Sequence, residues 1–578
     1  MKDPHGDDRV KAAGRDRQAA SVTEHDHVSE ALASTRQHRR REVDAHDPMT
    51  VIAEPDANGA RADADLEHAR SLDPRRQLSR KRAPAGQPAA RVVVSVGDPI
   101  EVDRGGEVHR FSLVRVAARR LTRRMVPIVT PEEMGAIDAA APEPVEVLVE
   151  RAGAAVARSA RRLLGGTYGR RVVVLAGKGN NGADGRAAAR RLQRWGVGVQ
   201  VFDAAAPPVS VPRCDLVIDA AYGTGFRGAW EPPDVGGAPV LAVDLPSGVD
   251  GLTGGAQGPV LRAIETVTFA ALKPGLLFPP GRGLCGNVEI ADIGFDVSRA
   301  RCHLVEAADV IGWLPPREAT DHKWRAAVWC IAGSPGMLGS AHLAATAALR
   351  AGAGMVRLST PGVTYDPMIP TEAVGRAVNS ASWTQEVLTD DDRFHAFVVG
   401  PGLGRTDEAA ESIRQFVSRA HRPVLVDGDG LFALAWSREG AAALVRPRKH
   451  PTVLTPHDGE YAVLKGTKVR PDRIGAARDL AAELGAVVVL KGPATVVADP
   501  SGAARVVAEG DARLATAGTG DVLSGVIGAF LAQGLAPFDA AAAGAWVHGR
   551  AGRLGPKRGL VAGDLPGLVA RVLSELAS

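Results

Sequence analysis

Asp521 follows three small residues, Gly518-Thr519-Gly520, and opens an apolar run at helical spacing: Val522, Leu523, Val526, Ile527, Phe530 and Leu531. A glycine turn feeding a helix aims backbone N–H groups and the positive end of the helix dipole at one point, which suits a phosphate. A carboxylate beside a bound phosphate can take a proton from an attacking hydroxyl. The competing account is an N-cap aspartate in an ordinary turn. A second cluster of candidate chemistry is the turn Gly177-Lys178-Gly179-Asn180-Asn181-Gly182-Ala183-Asp184-Gly185. It has the position of a nucleotide-binding turn but not the GxGxxG spacing, and its asparagines and Asp184 can ligate an ion or bind hydroxyls. Asp219, the loop Gly223-Thr224-Gly225-Phe226-Arg227-Gly228, Asp244-Leu245-Pro246-Ser247-Gly248 and Lys273-Pro274-Gly275 add further polar groups. One such aspartate would most often be a turn former. Several in successive loops point to one shared site.

The elements that must position these groups are apolar runs of strand length. Val172–Leu175, Val199–Phe202, Leu216–Asp219, Val240–Val243 and Thr266–Phe269 are predicted strands, separated by helical patterns such as Leu148, Ala152, Val156, Ala160 and Leu163. Thr130 and Glu133 predict a capping box and a helix from about Pro131. The same beat resumes after Pro315-Pro316. Val328–Ala332, Met355–Leu358, Phe397–Val399, Val424–Val426, Thr452–Leu454 and Val487–Leu490 each deliver a small or polar loop. Among these loops are Gly400-Pro401-Gly402-Leu403-Gly404, Asp427-Gly428-Asp429, Thr455-Pro456-His457-Asp458-Gly459-Glu460 and Lys491-Gly492-Pro493-Ala494-Thr495. Open α/β sheets bind ligands at the C-terminal ends of their strands, where all these loops fall.

The chain has 578 residues and a formal charge of +4, which does not argue for nucleic acid. Its four cysteines, Cys214, Cys285, Cys302 and Cys330, show no CxxC spacing, so neither a zinc site nor a disulfide framework is expected, and a reducing cytoplasm is. No run suggests a membrane span. Residues 1 to about 90 hold no Phe, Trp or Tyr and cannot bury enough apolar surface to offset ordering entropy. Residues 91–124 are mixed, with short strand-like runs at Val92–Val94 and Phe111–Val114. The expected organisation is a disordered extension over 1–124, a first α/β domain over 125–302 and a second over 303–578. Met125 is also a plausible start of translation.

The Asn180–Gly185 turn, Asp219, the Gly223–Gly228 loop, Asp244-x-Pro-Ser247-Gly and Lys273-Pro-Gly together resemble the NAD(P)H-hydrate epimerase domain. The match spans roughly Met125 to Val297. The Lys491-Gly492 loop with Gly518-Thr519-Gly520-Asp521 resembles ribokinase-like kinases. The full set from about Leu304 onward resembles ADP-dependent NAD(P)H-hydrate dehydratases. These resemblances imply two three-layer αβα domains, a Rossmann-like sheet followed by a ribokinase-like one. They imply a bifunctional enzyme that epimerises R- and S-NAD(P)HX and dehydrates the S form to NAD(P)H with ADP, releasing AMP and phosphate.

In the first domain the resemblance assigns Asn180, Asn181, Gly182, Ala183, Asp184, Gly223, Thr224, Gly225, Phe226, Arg227, Gly228 and Asp244 to substrate, and Asn181, Asp219 and Ser247 to K+. It does not rank Asp184, Asp219, Asp244 and Lys273 as acid or base. In the second domain it assigns Gly402, His457 and Asp521 to the hydrate and Lys491, Gly492, Pro493, Ala494, Thr495 and Gly520 to the nucleotide, with Asp521 catalytic. Ala183 and Ala517 stand where the family usually has glycine. The implied partners are NADHX, NADPHX, ADP with Mg2+, and further copies of the same chain in a homo-oligomer, with no nucleic acid or membrane. A kinase of a small alcohol and a catalytically inert scaffold are the alternative functions.

Overall fold

The computed structural model describes residues 115–116 and 125–578. The expected extension over 1–124, with its strand-like runs at Val92–Val94 and Phe111–Val114, therefore lies outside the described residues except for Arg115 and Val116. Those two pair in parallel with Glu289 and Ile290 at the edge of a sheet.

That sheet has seven strands, every pairing parallel. Its spatial order is Arg115–Val116, Asn287–Ala291, Glu265–Phe269, Val240–Val243, Leu216–Ala220, Arg171–Ala176 and Gly198–Asp203. The central strands are buried on both faces. That burial is why they read as continuous apolar runs rather than alternating ones. After the edge strand Arg115–Val116, the chain enters the body of the sheet at Arg171–Ala176, and the following strands build away from it in both directions. The C-terminal end of that strand, beside Leu216–Ala220, is thus the topological switch point where such sheets bind ligands. Helices Val145–Leu164 and Asn180–Arg194 cover one face and touch closely, because a Cβ at Gly153 would lie only 2.5 Å from the Ala187 Cβ. Helix Pro131–Ala139 begins with the expected capping box: Thr130 Oγ1 accepts from Glu133 N at 3.1 Å, and Thr130 N donates to Glu133 at 2.8 Å.

The second sheet has eleven strands. Six parallel strands, Val374–Gly375, Met355–Ser359, Ala327–Ile331, Ala396–Val399, Val424–Val426 and Thr452–Leu454, run on to a seventh, Val487–Leu490. An antiparallel hairpin, Thr495–Ala498 and Ala504–Val507, then closes the order. Two more strands extend it from the other part of the chain. Cys302–Leu304 pairs with Ala504–Val507, and Val126–Ile128 pairs antiparallel with Cys302–Leu304. Cys302, expected to end the first domain, thus belongs to the second sheet, as does a strand from the very start of the first domain. Pro127 is tolerated there because an edge strand need not donate a ladder hydrogen bond. On its other side the same strand touches the first lobe: Leu272 N donates to Pro127 O at 3.0 Å, and Val129 N donates to Leu272 O at 2.9 Å. One apolar core correspondingly holds Ile128, Leu272, Leu276 and Phe278 together with Trp329, Phe397 and Val488. Among the described residues no helix is long and apolar enough to cross a membrane.

Candidate active sites

The first site lies at the switch point. Helix Asn180–Arg194 starts directly after strand Arg171–Ala176, and only glycines permit so tight a turn: a side chain at Gly182 would strike the Gly177 carbonyl. The turn brings Asp184 into a buried position among carboxylates. Burial first, then Asp244 and Asp138, push its carboxyl up to about 8, with Lys273 opposing. Asp244 ends strand Val240–Val243 with φ 67°, a left-handed conformation that a non-glycine residue holds only where its surroundings impose it. What imposes it is a buried network. Asp244 Oδ1 pairs with Lys273 Nζ at 2.7 Å and accepts from Thr268 Oγ1 at 3.0 Å. Lys273 Nζ also donates to Thr268 Oγ1 and to Phe269 O, each at 2.9 Å.

Asp219 sits fully buried one strand away. Ser247 N donates to its Oδ2 at 2.8 Å, Ser247 Oγ to its Oδ1 at 2.6 Å, and Ala221 N to Oδ1 at 3.3 Å. Burial raises its carboxyl above the ordinary range despite those bonds. Asn181 has its Nδ2 buried without a partner. Gly223 packs over this group, since a Cβ there would lie 3.4 Å from both Asn181 Cγ and Asp244 Oδ2. The rest of the Gly223–Gly228 loop leaves it. Gly225, Arg227 and Gly228 are exposed, Phe226 stacks on Tyr222 at 4.2 Å, and Arg227 donates to its own loop's Thr224 and Phe226 carbonyls. Asn180 is exposed at the helix entrance, and Ala183 is half-buried beside it. The structure therefore gathers Asn181, Gly182, Asp184, Gly223 and Asp244, and adds Asp138 and Thr268, which sequence reasoning missed. Asp138 lies on helix Pro131–Ala139, where no motif singles it out. Thr268 lies in an expected strand, where it reads as an ordinary β-former.

The second site forms around the N-terminus of helix Thr519–Ala532. Gly518 is its N-cap, with φ 88°, and no side chain caps it. Asp521 is the third residue of the helix and caps nothing, so the N-cap account of this aspartate fails. Thr519 Oγ1 locks the turn by donating to Leu514 O at 2.8 Å and Thr516 O at 2.9 Å. Gly525 lets the helix press on helix Leu338–Arg350, since any side chain there would strike the Ala344 carbonyl. That contact brings Ser340 to hydrogen-bond Asp521. Burial, with Asp427 and Asp429 near, still lifts the Asp521 carboxyl to about 6 against the pull of Ser340 and Lys491. Gly402 abuts Ser340, with room for only a hydrogen where a Cβ would stand 2.9 Å from the Ser340 Cβ; its φ of 63° suits glycine too.

Lys491 Nζ bonds Asp427 Oδ1 at 2.8 Å and lies 3.5 Å from Glu460 Oε2. Asp427 Oδ2 accepts from Ser524 Oγ at 2.8 Å. Burial is the largest influence on this aspartate and raises its carboxyl, but the charge of Lys491 and the hydrogen bonds from Lys491, Thr455 and Ser524 together hold it below its usual range. Gly520 is fitted to the pair, since a Cβ there would lie 3.5 Å from Lys491 Nζ and 3.7 Å from Asp427 Oδ2. His457 caps helix Asp458–Lys465, its Nδ1 accepting from Gly459 N at 3.0 Å and Glu460 N at 3.2 Å, while its side chain is 57% exposed. Arg473 pins the lysine loop from below by donating to Lys491 O at 2.9 Å and gripping Asp458 with both terminal nitrogens. Ala494 is buried in the core, and Thr495 opens a hairpin strand. Gly402, His457, Lys491, Gly520 and Asp521 are thus joined through Ser340, Asp427, Glu460 and Ser524. Ser340 and Ser524 were missed because serines on separate helices carry no common spacing; Asp427 and Glu460 lie in loops the sequence had singled out, but neither was assigned to the site. His548, buried, with its imidazole pushed down to about 4 chiefly by burial, stands behind Thr519.

The fold and the two sites define a class: an α/β enzyme pair in which a Rossmann-like lobe with a buried carboxylate–lysine cluster precedes a ribokinase-like lobe with a glycine-capped helix N-terminus and a half-buried aspartate beside it. A family model described as NAD(P)H-hydrate dehydratase matches residues 328–574, and one described as YjeF-related protein N-terminus matches 145–212 and 202–275. The bifunctional NAD(P)H-hydrate repair enzyme Nnr of Moorella thermoacetica is 36% identical over 527 residues, covering 78% of this chain and 97% of that protein. The Mycobacterium leprae enzyme of the same name is 38% identical over 471 residues (75% and 94%), and that of Escherichia coli K12 is 34% identical over 453 (70% and 85%). The solved ADP/ATP-dependent NAD(P)H-hydrate dehydratase of Bacillus subtilis, co-crystallised with ATP/Mg2+, is 28% identical and covers 47% of this chain and 98% of that chain, with a TM-score of 0.41. The chain belongs to the bifunctional NAD(P)H-hydrate repair enzyme family.

Proposed function

We propose that the Asp184 cluster carries out the epimerisation of hydrated NADH and NADPH, and that Asp521 carries out the ADP-dependent dehydration of the S form. The observation that carries this reading is the convergence of Lys491, Gly520 and the Ser340–Asp521 pair on one helix N-terminus. Hydroxide is a poor leaving group. In the second lobe Asp521 takes the proton of the C6 hydroxyl as that oxygen attacks the β-phosphoryl of ADP. The P–O bond to AMP breaks; the phosphate then leaves C6 as the ring-nitrogen lone pair forms an N1=C6 iminium, and loss of the C5 proton to the departing phosphate or to water restores the C5–C6 double bond. Lys491 and the helix N-terminus carry the charge of the moving phosphoryl group. Mg2+ would accompany the nucleotide phosphates there. In the first lobe a protonated Asp184 gives its proton to the C6 hydroxyl, which departs as water. Water then returns to either face and gives the proton back. Asp244, held by Lys273, anchors the substrate.

Asn181, Asp219 and Ser247 would hold K+. They offer oxygen donors only, and the Asp219 charge is fully buried with hydrogen bonds but, among the described residues, no cationic partner, which suits a hard, weakly charged ion. The ion would offset the cost of that buried charge and fix the loop. Asp219→Ala should impair epimerisation and abolish its response to added K+ while leaving dehydration of pure S hydrate intact. Parallel loss of both activities in a folded variant would refute two independent sites.

The decisive assay incubates mixed R and S hydrate with ADP and follows recovery of absorbance at the reduced-nicotinamide band. Complete recovery supports both activities in one chain. Recovery that stops at the S fraction removes the epimerase, and a stable phosphorylated product with no recovery makes the second lobe a kinase of an alcohol. Lys491→Ala should weaken ADP binding by about tenfold or more and hydrate binding far less, since it removes a buried cation from the phosphate site. Calorimetry checks this, and unchanged ADP affinity would remove Lys491 from the nucleotide site.

A further inference from the structure

The geometry points to Arg282, a side chain of the first lobe, as a positioning residue for the nucleotide loop of the second, so that ADP affinity of the dehydratase depends on the epimerase lobe. The inference rests on reading Lys491–Thr495 as the nucleotide loop. Arg282 lies on the short helix Gly281–Leu284, and its guanidinium reaches across to two backbone carbonyls. Nη1 donates to Pro493 O at 3.3 Å and Nη2 to Ala508 O at 2.6 Å. These two residues flank the open end of one hairpin, in which Thr495 pairs with Val507. Pro493 lies inside the lysine loop. Ala508 begins the segment that runs through Glu509 and Arg513 to Gly518 and Asp521.

That segment is itself braced. Arg553 reaches Glu509 at 3.3 Å, and Arg513 donates to the carbonyls of Arg553 at 3.1 Å and Gly555 at 2.9 Å. One planar guanidinium therefore ties together the two walls between which Lys491 and Gly520 meet. Arginine suits this task because its fork presents donors toward two acceptors at a fixed separation, which a lysine point charge does not. Backbone carbonyls cannot rotate away as side chains do, so the clamp sets the width of the opening. Arg282 is in turn fixed by its own lobe. Any side chain at Gly281 would strike the Gly275 carbonyl, so the helix rests on the turn Pro274–Leu276 that follows Lys273.

The test uses the full chain and compares the parent with Arg282→Ala, Arg282→Gln, Arg282→Lys and Lys491→Ala, with ADP as the probe. Arg282→Ala should raise the Kd and KM for ADP about tenfold, the weight of a charged hydrogen-bond pair, with kcat at saturating ADP and the rate of epimerisation preserved. Arg282→Lys should recover part of the affinity. A purely structural role would lower Tm without splitting KM from kcat. Should Arg282→Ala fail to fold, the near-isosteric Arg282→Gln carries the same expectation. The proposal is overturned if Arg282 variants bind ADP as the parent does while Lys491→Ala loses affinity. If Lys491→Ala also binds normally, the nucleotide-loop reading fails and this inference with it.

Discussion

Asp521→Asn is expected to fold, to bind ADP and the hydrate, and to lose dehydration rate by roughly two or more orders of magnitude, the usual weight of a general base. The asparagine keeps the size and the place in the first helical turn but cannot accept the proton. Epimerisation should be unchanged. The parent's pH dependence follows from the carboxyl at about 6: the base form is lost as pH falls through that value, so the rate should drop on the acid side. The stability sign is opposite to that of a helix cap. An aspartate whose folded value lies above its unfolded one of about 3.9 costs no stability below that value and progressively more as pH rises through 6. Asp521→Asn should therefore match or exceed the parent's Tm at neutral pH. Near-normal single-turnover dehydration would remove Asp521 from the chemistry.

The second large effect is expected at Asp184. Its carboxyl, pushed up to about 8 by burial and by Asp244 and Asp138, carries its proton at neutral pH and can serve as an acid. Asp184→Asn should slow epimerisation by about a hundredfold or more while leaving ADP-dependent dehydration of pure S hydrate intact. The acid form disappears as pH rises through about 8, so the parent's epimerisation should fall on the alkaline side, the reverse of the dehydration profile. The folded value again exceeds the unfolded one, so as pH climbs from about 4 toward 8 the unfolded chain ionises Asp184 while the fold keeps it protonated, stability falls, and the asparagine variant should melt no lower than the parent at pH 7. An epimerisation rate in Asp184→Asn that is unaltered, or an alkaline limb that survives the substitution, would shift the acid role to another carboxyl of the cluster.

These two residues also mark what sequence could reach. The strand–loop beat was legible because parallel strands buried on both faces are written as unbroken apolar runs, such as Leu216–Ala220 and Ala396–Val399, and polar residues stand out at their ends. Ligand loops collect at those ends in any open α/β sheet, so Asn181, Asp184, Asp244 and Lys491 were visible without coordinates, and Asp521 was visible from the glycine turn that feeds its helix. The strand Asn287–Ala291 was not legible. Its Asn287 and Glu289 interrupt the apolar run because it lies near the sheet's edge.

What sequence determined by itself was the kind of chemistry each loop offers and the number of α/β units that carry it. Residue type and local spacing encode both. Tertiary structure alone decided the partnerships: Asp427 with Lys491, Ser340 with Asp521, Thr268 between Asp244 and Lys273, and Val126–Ile128 as an edge strand of the far lobe. It also decided that Asp184 and Asp521 hold their protons so differently from free aspartate. That property comes from burial and from charges contributed by remote segments, and neither is written in the residues next to them.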